Sequence, residues 1–165
     1  MWFRIASYLQ FLLKSTSEHG VHSPFVFNYV TKCLYHKKKY HKDKSVNVLL
    51  KSIDYFKFQH AIVEDLEIKN LVKENFPRVQ FGQQMLDIFF LESLSPSEFN
   101  TLLDEGRLHN DSLLIIDNIY GDKKKLEKWN YLIAQPEITV SMDLYHCGIF
   151  FIRREQVKEH FIIRI

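Results

Sequence analysis

Apolar residues near the start of the chain recur at helical spacing. Over residues 2–14 they predict an amphipathic helix, and the residues that mark it are Trp2, Ile5, Leu9, Leu12 and Leu13. The same spacing predicts helices over residues 25–35 and 46–56. Ser23 and Pro24 suit the start of the second helix, because serine caps a helix and proline fits its first position.

From residue 58 onward, short apolar runs alternate with helical segments. Strands are predicted over residues 60–64, 79–81, 86–91, 112–116, 138–145, 149–154 and 161–163, and helices over residues 67–76, 95–105 and 123–134. Apolar strands that alternate with helices are typical of a mainly parallel sheet covered on both faces. The strands on either side of His146-Cys147-Gly148 predict a C-terminal antiparallel hairpin. We expect one α/β domain, with an N-terminal helical segment (1–57) packed on a core (58–165).

Charge is distributed unevenly along the 165 residues, although the net charge is only +2. Residues 1–57 contain ten Lys and Arg against Glu18, Asp43 and Asp54, whereas residues 58–165 carry about five negative charges in excess. Such asymmetry can mark a face for an anionic partner such as RNA or lipid headgroups. It also arises when a basic segment simply covers an acidic body. Because no base-stacking motif accompanies the short run Lys37-Lys38-Lys39, nucleic acid is the less favoured partner.

The two cysteines and the N-terminal residues indicate where in the cell the protein is expected. Cys33 and Cys147 lie far apart and neither belongs to a CxxC pair, so we expect two free thiols rather than a zinc or redox site. The first residues show no secretory signal, and no apolar run reaches the roughly 18 residues of a membrane span. We therefore expect a cytoplasmic protein without a membrane span.

Both ends of the chain resemble one protein family. The run from His19 to Phe27 reads HGVHSPFVF, and the end of the chain carries a hairpin over residues 140–153 and the tail EQVKEHF over residues 155–161. These features resemble a group of predicted bacterial methyltransferases of class I, which use S-adenosylmethionine (SAM) and carry an HGxHSPFVF motif. The resemblance implies a Rossmann-like sheet, here shortened, and covers most of the chain.

The glycine-rich turn that the family uses to hold SAM is missing from this sequence. Such a turn lets backbone N–H groups approach the ligand, because a side chain would block the approach. The five glycines stand at least fifteen positions apart, and no G-x-G occurs. One alignment deletes the first strand, its turn and the next helix. The other makes residues 61–65 a degenerate first strand, with Glu64-Asp65-Leu66 in place of the turn.

Four polar residues are the candidates for a ligand site. The resemblance implies that Glu64, at a strand end, binds the SAM ribose, and that Glu92, Asp117 and Asn118 form a metal site of the catechol-methyltransferase type. Carboxylate and carboxamide oxygens suit Mg²⁺, which would orient and acidify a hydroxyl group of the substrate. Glu92 departs from the family, which has aspartate at that position. Each residue also has an ordinary reading: a carboxylate at a strand end, or an Asp-Asn turn.

A second polar pair, His19 and His22, stands three positions apart, but two histidines alone are not a metal site. We expect them to belong to a packed turn.

Three functions remain open from the sequence. The first is a degenerate methyltransferase-like protein without methyl transfer, acting as a binding or partner subunit in a homo- or hetero-oligomer. The second is an active SAM-dependent O-methyltransferase, with Mg²⁺ as a possible aid and an atypical cofactor site. The third is an RNA-associated protein with a basic N-terminal face. The missing glycine turn favours the first.

Overall fold

The structure is a computed structural model that describes residues 2–17 and 20–165. It contains helices α1 (Trp2–Lys14), α2 (Pro24–Tyr29), α3 (Lys44–Phe56), α4 (Leu66–Asn75), α5 (Pro96–Asp104) and α6 (Lys123–Ile133). A π-helical turn, Val30–Leu34, continues α2. The strands are β1 (His60–Val63), β2 (Gln80–Phe81), β3 (Leu86–Leu91), β4 (Leu108–Asp117), β5 (Val140–Asp143), β6 (Cys147–Phe151) and β7 (Glu159–Ile162). The predicted α/β fold is confirmed.

All seven strands form one mixed sheet in the order β2-β1-β3-β4-β6-β5-β7. The strands β1 to β4 are mutually parallel, and β6 runs antiparallel between β4 and β5. The last strand, β7, returns parallel to β5 at the edge. The connection from β2 to β3 is residues 82–85 and contains neither helix nor strand. Chain order reverses around β1, so the switch point of this Rossmann-like sheet lies between β1 and β3.

Alternation along β4 explains why helices cover both faces of the sheet. Successive strand side chains point to opposite faces. Leu113 and Ile115 belong to the core that α2, α3 and α4 complete, whereas Leu114 and Ile116 belong to the core under α5 and α6. The result is a three-layer arrangement with β4 buried on both sides.

Helix starts follow the local sequence signals. Ser95 accepts a hydrogen bond from the backbone N–H of Glu98, whose side chain bonds back to Ser95, and Pro96 takes the first helical position. At α2, Ser23 caps the helix by accepting from Val26. Both caps were predicted from the sequence.

The C-terminal hairpin is confirmed, but the prediction for its turn was wrong. Gly148 was expected in the turn, whereas it lies inside β6 and Tyr145 takes the left-handed conformation, with φ of 67°. Glycine is needed at position 148 because helix α6 packs its Trp129 ring directly against this point of the sheet. A Cβ atom there would lie 2.6 Å from the ring of Trp129 on α6.

Both cysteines are buried free thiols, as expected. Burial raises the pKa of the Cys33 thiol to about 12 and raises that of Cys147 as well. Neither thiol is therefore ionised at neutral pH, which is the behaviour of core cysteines rather than reactive ones.

Helix α1 presents its apolar stripe to solvent. Its buried residues are Ser7 and Phe11, while the large exposed side chains are Trp2, Ile5, Tyr8, Leu9 and Leu13. Trp2 and Leu13 are each 87% exposed. Helical periodicity predicted this amphipathic helix correctly, but the structure turns the apolar side away from the body. None of the described helices combines the length and apolar character that a bilayer crossing needs.

Asp87 links three strands at the amino-terminal edge of the sheet. Its Oδ2 accepts hydrogen bonds from the backbone N–H groups of Gln59 and His60, both at 2.8 Å, and its Oδ1 lies 2.9 Å from Nε2 of His109. Burial alone would raise the pKa of Asp87, but these contacts outweigh it and hold the pKa below its ordinary value.

We expect Asp87→Asn to lower the free energy of unfolding at pH 7 by about 1–3 kcal/mol, because the charge-assisted bonds weaken. A lowered folded-state pKa adds stability above the unfolded pKa, about 3.9, and that stability is lost as the pH falls through the folded pKa. The difference between variant and wild type therefore narrows in acid. Urea unfolding at pH 7 and pH 3.5 measures it, with Asp104→Asn on the exposed end of α5 as control. An unchanged gap at both pH values would contradict this account.

We expect Gly148→Ala to destabilise the fold by about 1–3 kcal/mol, because the added methyl group overlaps the Trp129 ring inside a packed layer. Thermal unfolding measures the loss. Arg154→Lys, a conservative change at an exposed residue just past β6, serves as control. Wild-type stability of the Gly148 variant would show that α6 shifts freely.

Candidate functional site

The four predicted site residues meet at the carboxyl edge of the parallel strands. Glu64 follows β1, Glu92 follows β3, and Asp117 ends β4 with Asn118 after it. Together they line a cleft of about 370 Å³, at the switch point where ligands of such sheets bind. The remaining lining residues are Asp65, Ile68, Phe90 and Lys125. The sequence therefore placed these residues at one edge correctly.

The Glu64 carboxylate already has a partner within the protein. Its Oε2 accepts a hydrogen bond of 2.8 Å from the backbone N–H of Glu92. This bond ties the end of β1 to the end of β3, its neighbour in the sheet. A ribose hydroxyl would have to share Oε2 with that N–H or bind to the other oxygen, Oε1.

The turn after β1 carries side chains where a SAM site needs bare backbone. Asp65 caps α4, and its Oδ1 accepts a 2.9 Å hydrogen bond from the backbone N–H of Ile68. The N-terminus of α4, which in Rossmann-like sites faces the anionic part of the ligand, is thus occupied by the protein's own carboxylate. Leu66, next in the turn, is exposed and has a bulky side chain. The residues of this turn do not fit SAM in the manner of the family.

Glu92 is paired with a lysine, which bears on the proposed magnesium site. Its Oε1 lies 3.0 Å from Nζ of Lys125 on α6. The ammonium group supplies the positive charge that a metal would bring, and a magnesium ion beside it would be repelled. Within residues 2–17 and 20–165, no three His, Cys, Asp or Glu side chains are placed to hold a metal ion. The Lys125 ammonium group beside Glu92 therefore disfavours Mg²⁺ between Glu92, Asp117 and Asn118.

Asn118 holds the turn that follows β4. Its backbone is left-handed, with φ of 50°, a conformation that asparagine tolerates better than most residues. Its N–H donates to the carbonyl of His146 at 2.8 Å, and its carbonyl accepts from the N–H of Gly121 at 2.8 Å. The Asp-Asn pair thus has the turn-forming role that the sequence offered as its ordinary reading.

Asp117 also faces a second cleft, which the sequence did not reveal. This cleft, of about 220 Å³, lies between α1, the start of α3 and the ends of β4 and β5. Its lining residues are Arg4, Asp43, Ser45, Asp117, Asn118, Tyr120, Tyr145 and His146. In the sequence Asp43 was only one of three acidic residues within 1–57, and nothing in spacing joins residue 43 to residue 117.

The pKa values of two carboxylates in this second cleft are shifted in opposite directions. Burial raises the pKa of Asp117, and the nearby charge of Asp43 adds to the rise. Burial alone would raise the pKa of Asp43 as well. Hydrogen bonds from Ser45 and Val46 outweigh this effect and hold the pKa of Asp43 below its ordinary value. A pair of acids whose pKa values are pushed apart can hold one proton between them. That is a property of ligand and proton-transfer sites and also of buried structural acids.

The resemblance motifs at the two ends of the chain meet in space. The Ser23 hydroxyl donates to Oε1 of Gln156 at 2.9 Å, and the Phe25 ring packs edge-on to Phe151 with centroids 5.0 Å apart. Arg153 lies over the Phe25 ring at 4.2 Å. His22 is exposed, whereas His19 lies outside the described residues. The motif that carries the resemblance therefore builds a structural junction with the C-terminal tail.

We expect Asp117→Asn to raise the free energy of unfolding at pH 7. A raised folded-state pKa means that the folded protein binds more protons than the unfolded chain, so stability falls as the pH rises from the unfolded pKa through the folded one. Asparagine removes that cost, and its stabilising effect should shrink toward pH 3.5. Urea unfolding at both pH values measures it, with Glu127→Gln on the exposed face of α6 as control. A variant that is less stable at pH 7 would contradict the prediction.

Comparisons with models of protein families, with curated proteins and with solved structures found no match to this chain.

Proposed function

We propose that this chain is a methyltransferase-like protein that has lost methyl transfer and acts by binding, as a binding or partner subunit. One observation carries the proposal: the carboxyl edge of the sheet at the switch point is satisfied by the protein's own groups. Glu64 accepts from the backbone of Glu92, Asp65 caps α4, and Lys125 neutralises Glu92.

These internal hydrogen bonds oppose the binding of SAM. A ligand hydroxyl that used Oε2 of Glu64 would exchange one hydrogen bond for another, which yields little net energy. The amino-acid part of SAM also needs close contact with backbone N–H groups, and the run Glu64-Asp65-Leu66 offers no glycine that would allow it. The strand order β2-β1-β3-β4 supports the same proposal, because it is the Rossmann order 3-2-1-4-5 with one strand fewer.

The exposed apolar side of α1 supports the binding half of the proposal. Five of its thirteen residues are large, apolar or aromatic and exposed, and together they form a contiguous patch on one helix. Patches of this kind mark interaction sites in proteins that are otherwise well packed. The polar groups at the switch point bond to one another, whereas the apolar residues of α1 are exposed. This combination suits binding to a partner better than catalysis.

An active methyltransferase is the second candidate, and one observation favours it. Glu64, Glu92, Asp117 and Asn118 do share the 370 Å³ cleft, which is large enough for a small molecule. For this function, SAM would have to enter without the glycine turn, and Lys125 would have to release Glu92.

Calorimetric titration with SAM and with S-adenosylhomocysteine decides between the two candidates. We expect no heat of binding and no rise in melting temperature with either compound in millimolar excess. A ligand at one hundred times its dissociation constant would raise the free energy of unfolding by about 2.7 kcal/mol, which thermal unfolding detects readily.

Glu64→Ala is the informative variant, and Glu67→Ala, in the exposed first turn of α4, is its matched control. We expect neither variant to change the flat titration. Heat of binding in the wild type that disappears in Glu64→Ala but persists in Glu67→Ala would overturn the proposal and establish a cofactor site.

A further inference from the structure

We infer that a basic cavity beside the π-helical turn binds a small phosphate monoester. The cavity has a volume of about 250 Å³ and lies between that turn, the loop after it and the C-terminal half of α3. None of the described residues that line it also lines one of the two clefts at the carboxyl edge of the sheet. The inference therefore concerns a separate site and goes beyond the proposed function.

Four lysines line this cavity together with one acid. The lysines are Lys32, Lys38, Lys51 and Lys57, and Asp54 is the only acidic residue among the described lining residues. Four ammonium groups against one carboxylate leave three positive charges in excess, with histidine counted as neutral. Lysine is a common phosphate ligand, and a phosphate monoester brings nearly two negative charges and three strong acceptor oxygens. It therefore matches this lining better than a carboxylate, which brings one charge.

The carboxylate of Asp54 leaves hydrogen-bond donors of the lysines unused. Its Oδ1 accepts a 2.8 Å hydrogen bond from Nζ of Lys57, and its Oδ2 accepts one of 2.7 Å from the hydroxyl of Tyr40. Nζ of Lys38 lies 3.8 Å from Oδ2, which is too far for a hydrogen bond. Because each ammonium group has three donors, Lys38 and Lys57 retain donors for a ligand. The switch-point cleft differs, since one lysine there faces one glutamate.

Internal hydrogen bonds hold the walls of the cavity in place. Nζ of Lys51 donates to two backbone carbonyls at and just past the end of the π-helical turn, at 2.7 and 2.6 Å, and so ties the turn to α3. In the loop, the side-chain oxygen of Asn47 accepts from the backbone N–H of Tyr40 at 2.8 Å. Nζ of Lys38 lies 4.3 Å from the centre of the Tyr40 ring. A cavity that is formed before binding loses less entropy when the ligand enters.

The π-helical turn is an independent indication of a site. The backbone N–H of Tyr35 donates to the carbonyl of Val30, five residues earlier, at 2.9 Å. Turns of this kind are rare and are found frequently at functional sites. Here the turn contributes Lys32 and Cys33 to the lining. The uneven charge of the chain is thereby located in space, because four of the ten Lys and Arg of residues 1–57 surround this one cavity.

The shape of the cavity favours a small molecule over a nucleic acid. A volume of about 250 Å³ admits one compact compound, whereas a nucleic-acid strand is bound along an extended basic groove. Tyr40 and Tyr55 line the cavity next to the lysines and provide ring surface. We therefore expect a ligand that combines a phosphate group with a small ring or other apolar group.

Calorimetric titration of the full chain with phenyl phosphate at low salt tests the inference. Benzoate is the comparison probe, because it keeps the ring but carries one negative charge. We expect saturable binding of phenyl phosphate and at least about tenfold weaker binding of benzoate. Added salt should weaken the binding of phenyl phosphate, since the ammonium groups border an open cavity.

Lys32→Gln combined with Lys38→Gln is the decisive variant, because both residues line the cavity and are exposed, so the core stays intact. We expect at least about a tenfold loss of affinity for phenyl phosphate. Lys37→Gln combined with Lys39→Gln is the matched control. It removes the same charge at exposed positions on either side of Lys38, and neither residue is part of the cavity lining. Its affinity should stay within about twofold of the wild type.

Four outcomes would overturn the inference. Two of them are no binding of phenyl phosphate at millimolar concentration and equal binding of benzoate. Equal losses of affinity in the two double variants would show attraction by overall charge rather than binding in the cavity. An RNA oligonucleotide without a terminal phosphate that displaces phenyl phosphate and binds more tightly would identify a nucleic-acid strand as the ligand. SAM and S-adenosylhomocysteine contain no phosphate, so a failure here is separable from a failure of the proposed function.

Discussion

Residues 113–116 of β4 are buried on both faces of the sheet, so their peptide groups have no water to bond. The neighbouring strands must supply those hydrogen bonds, and they do so with β3 parallel on one side and β6 antiparallel on the other. This pairing fixes the level at which β1, β3 and β4 end. The position of every residue at the carboxyl edge, and hence of both clefts, follows from it.

At that edge the polar groups have been used to complete the fold. Glu64 bonds to the backbone after β3, Asp65 caps α4, and Asn118 shapes the turn toward α6. Asp117 differs from them, because burial raises its pKa even though a hydrogen bond from Ser45 and the charge of Lys125 act in the opposite direction. An acid retained under such conditions marks the place where any remaining chemistry would occur.

Helix α1, in contrast, leaves most of its large apolar side chains exposed to solvent. Its apolar residues are those of a core-facing helix, yet the aromatic contacts of Tyr145 hold its narrower side inward and leave the apolar stripe outside. Exposed apolar patches of this kind mark interaction sites in proteins that are otherwise well packed.

The sequence by itself determined the elements, the caps at Ser23 and Ser95, and the convergence of Glu64, Glu92 and Asp117, because helical and strand periods and strand ends are local properties. It could not place Gly148 against Trp129 or bring Asp43 beside Asp117, since these contacts join residues that are far apart in the chain. Only the tertiary structure decided that the edge groups satisfy one another and that α1 turns its apolar side outward. The spacing of apolar residues reveals that a helix has an apolar and a polar face, but the packing of the whole chain decides which face is buried.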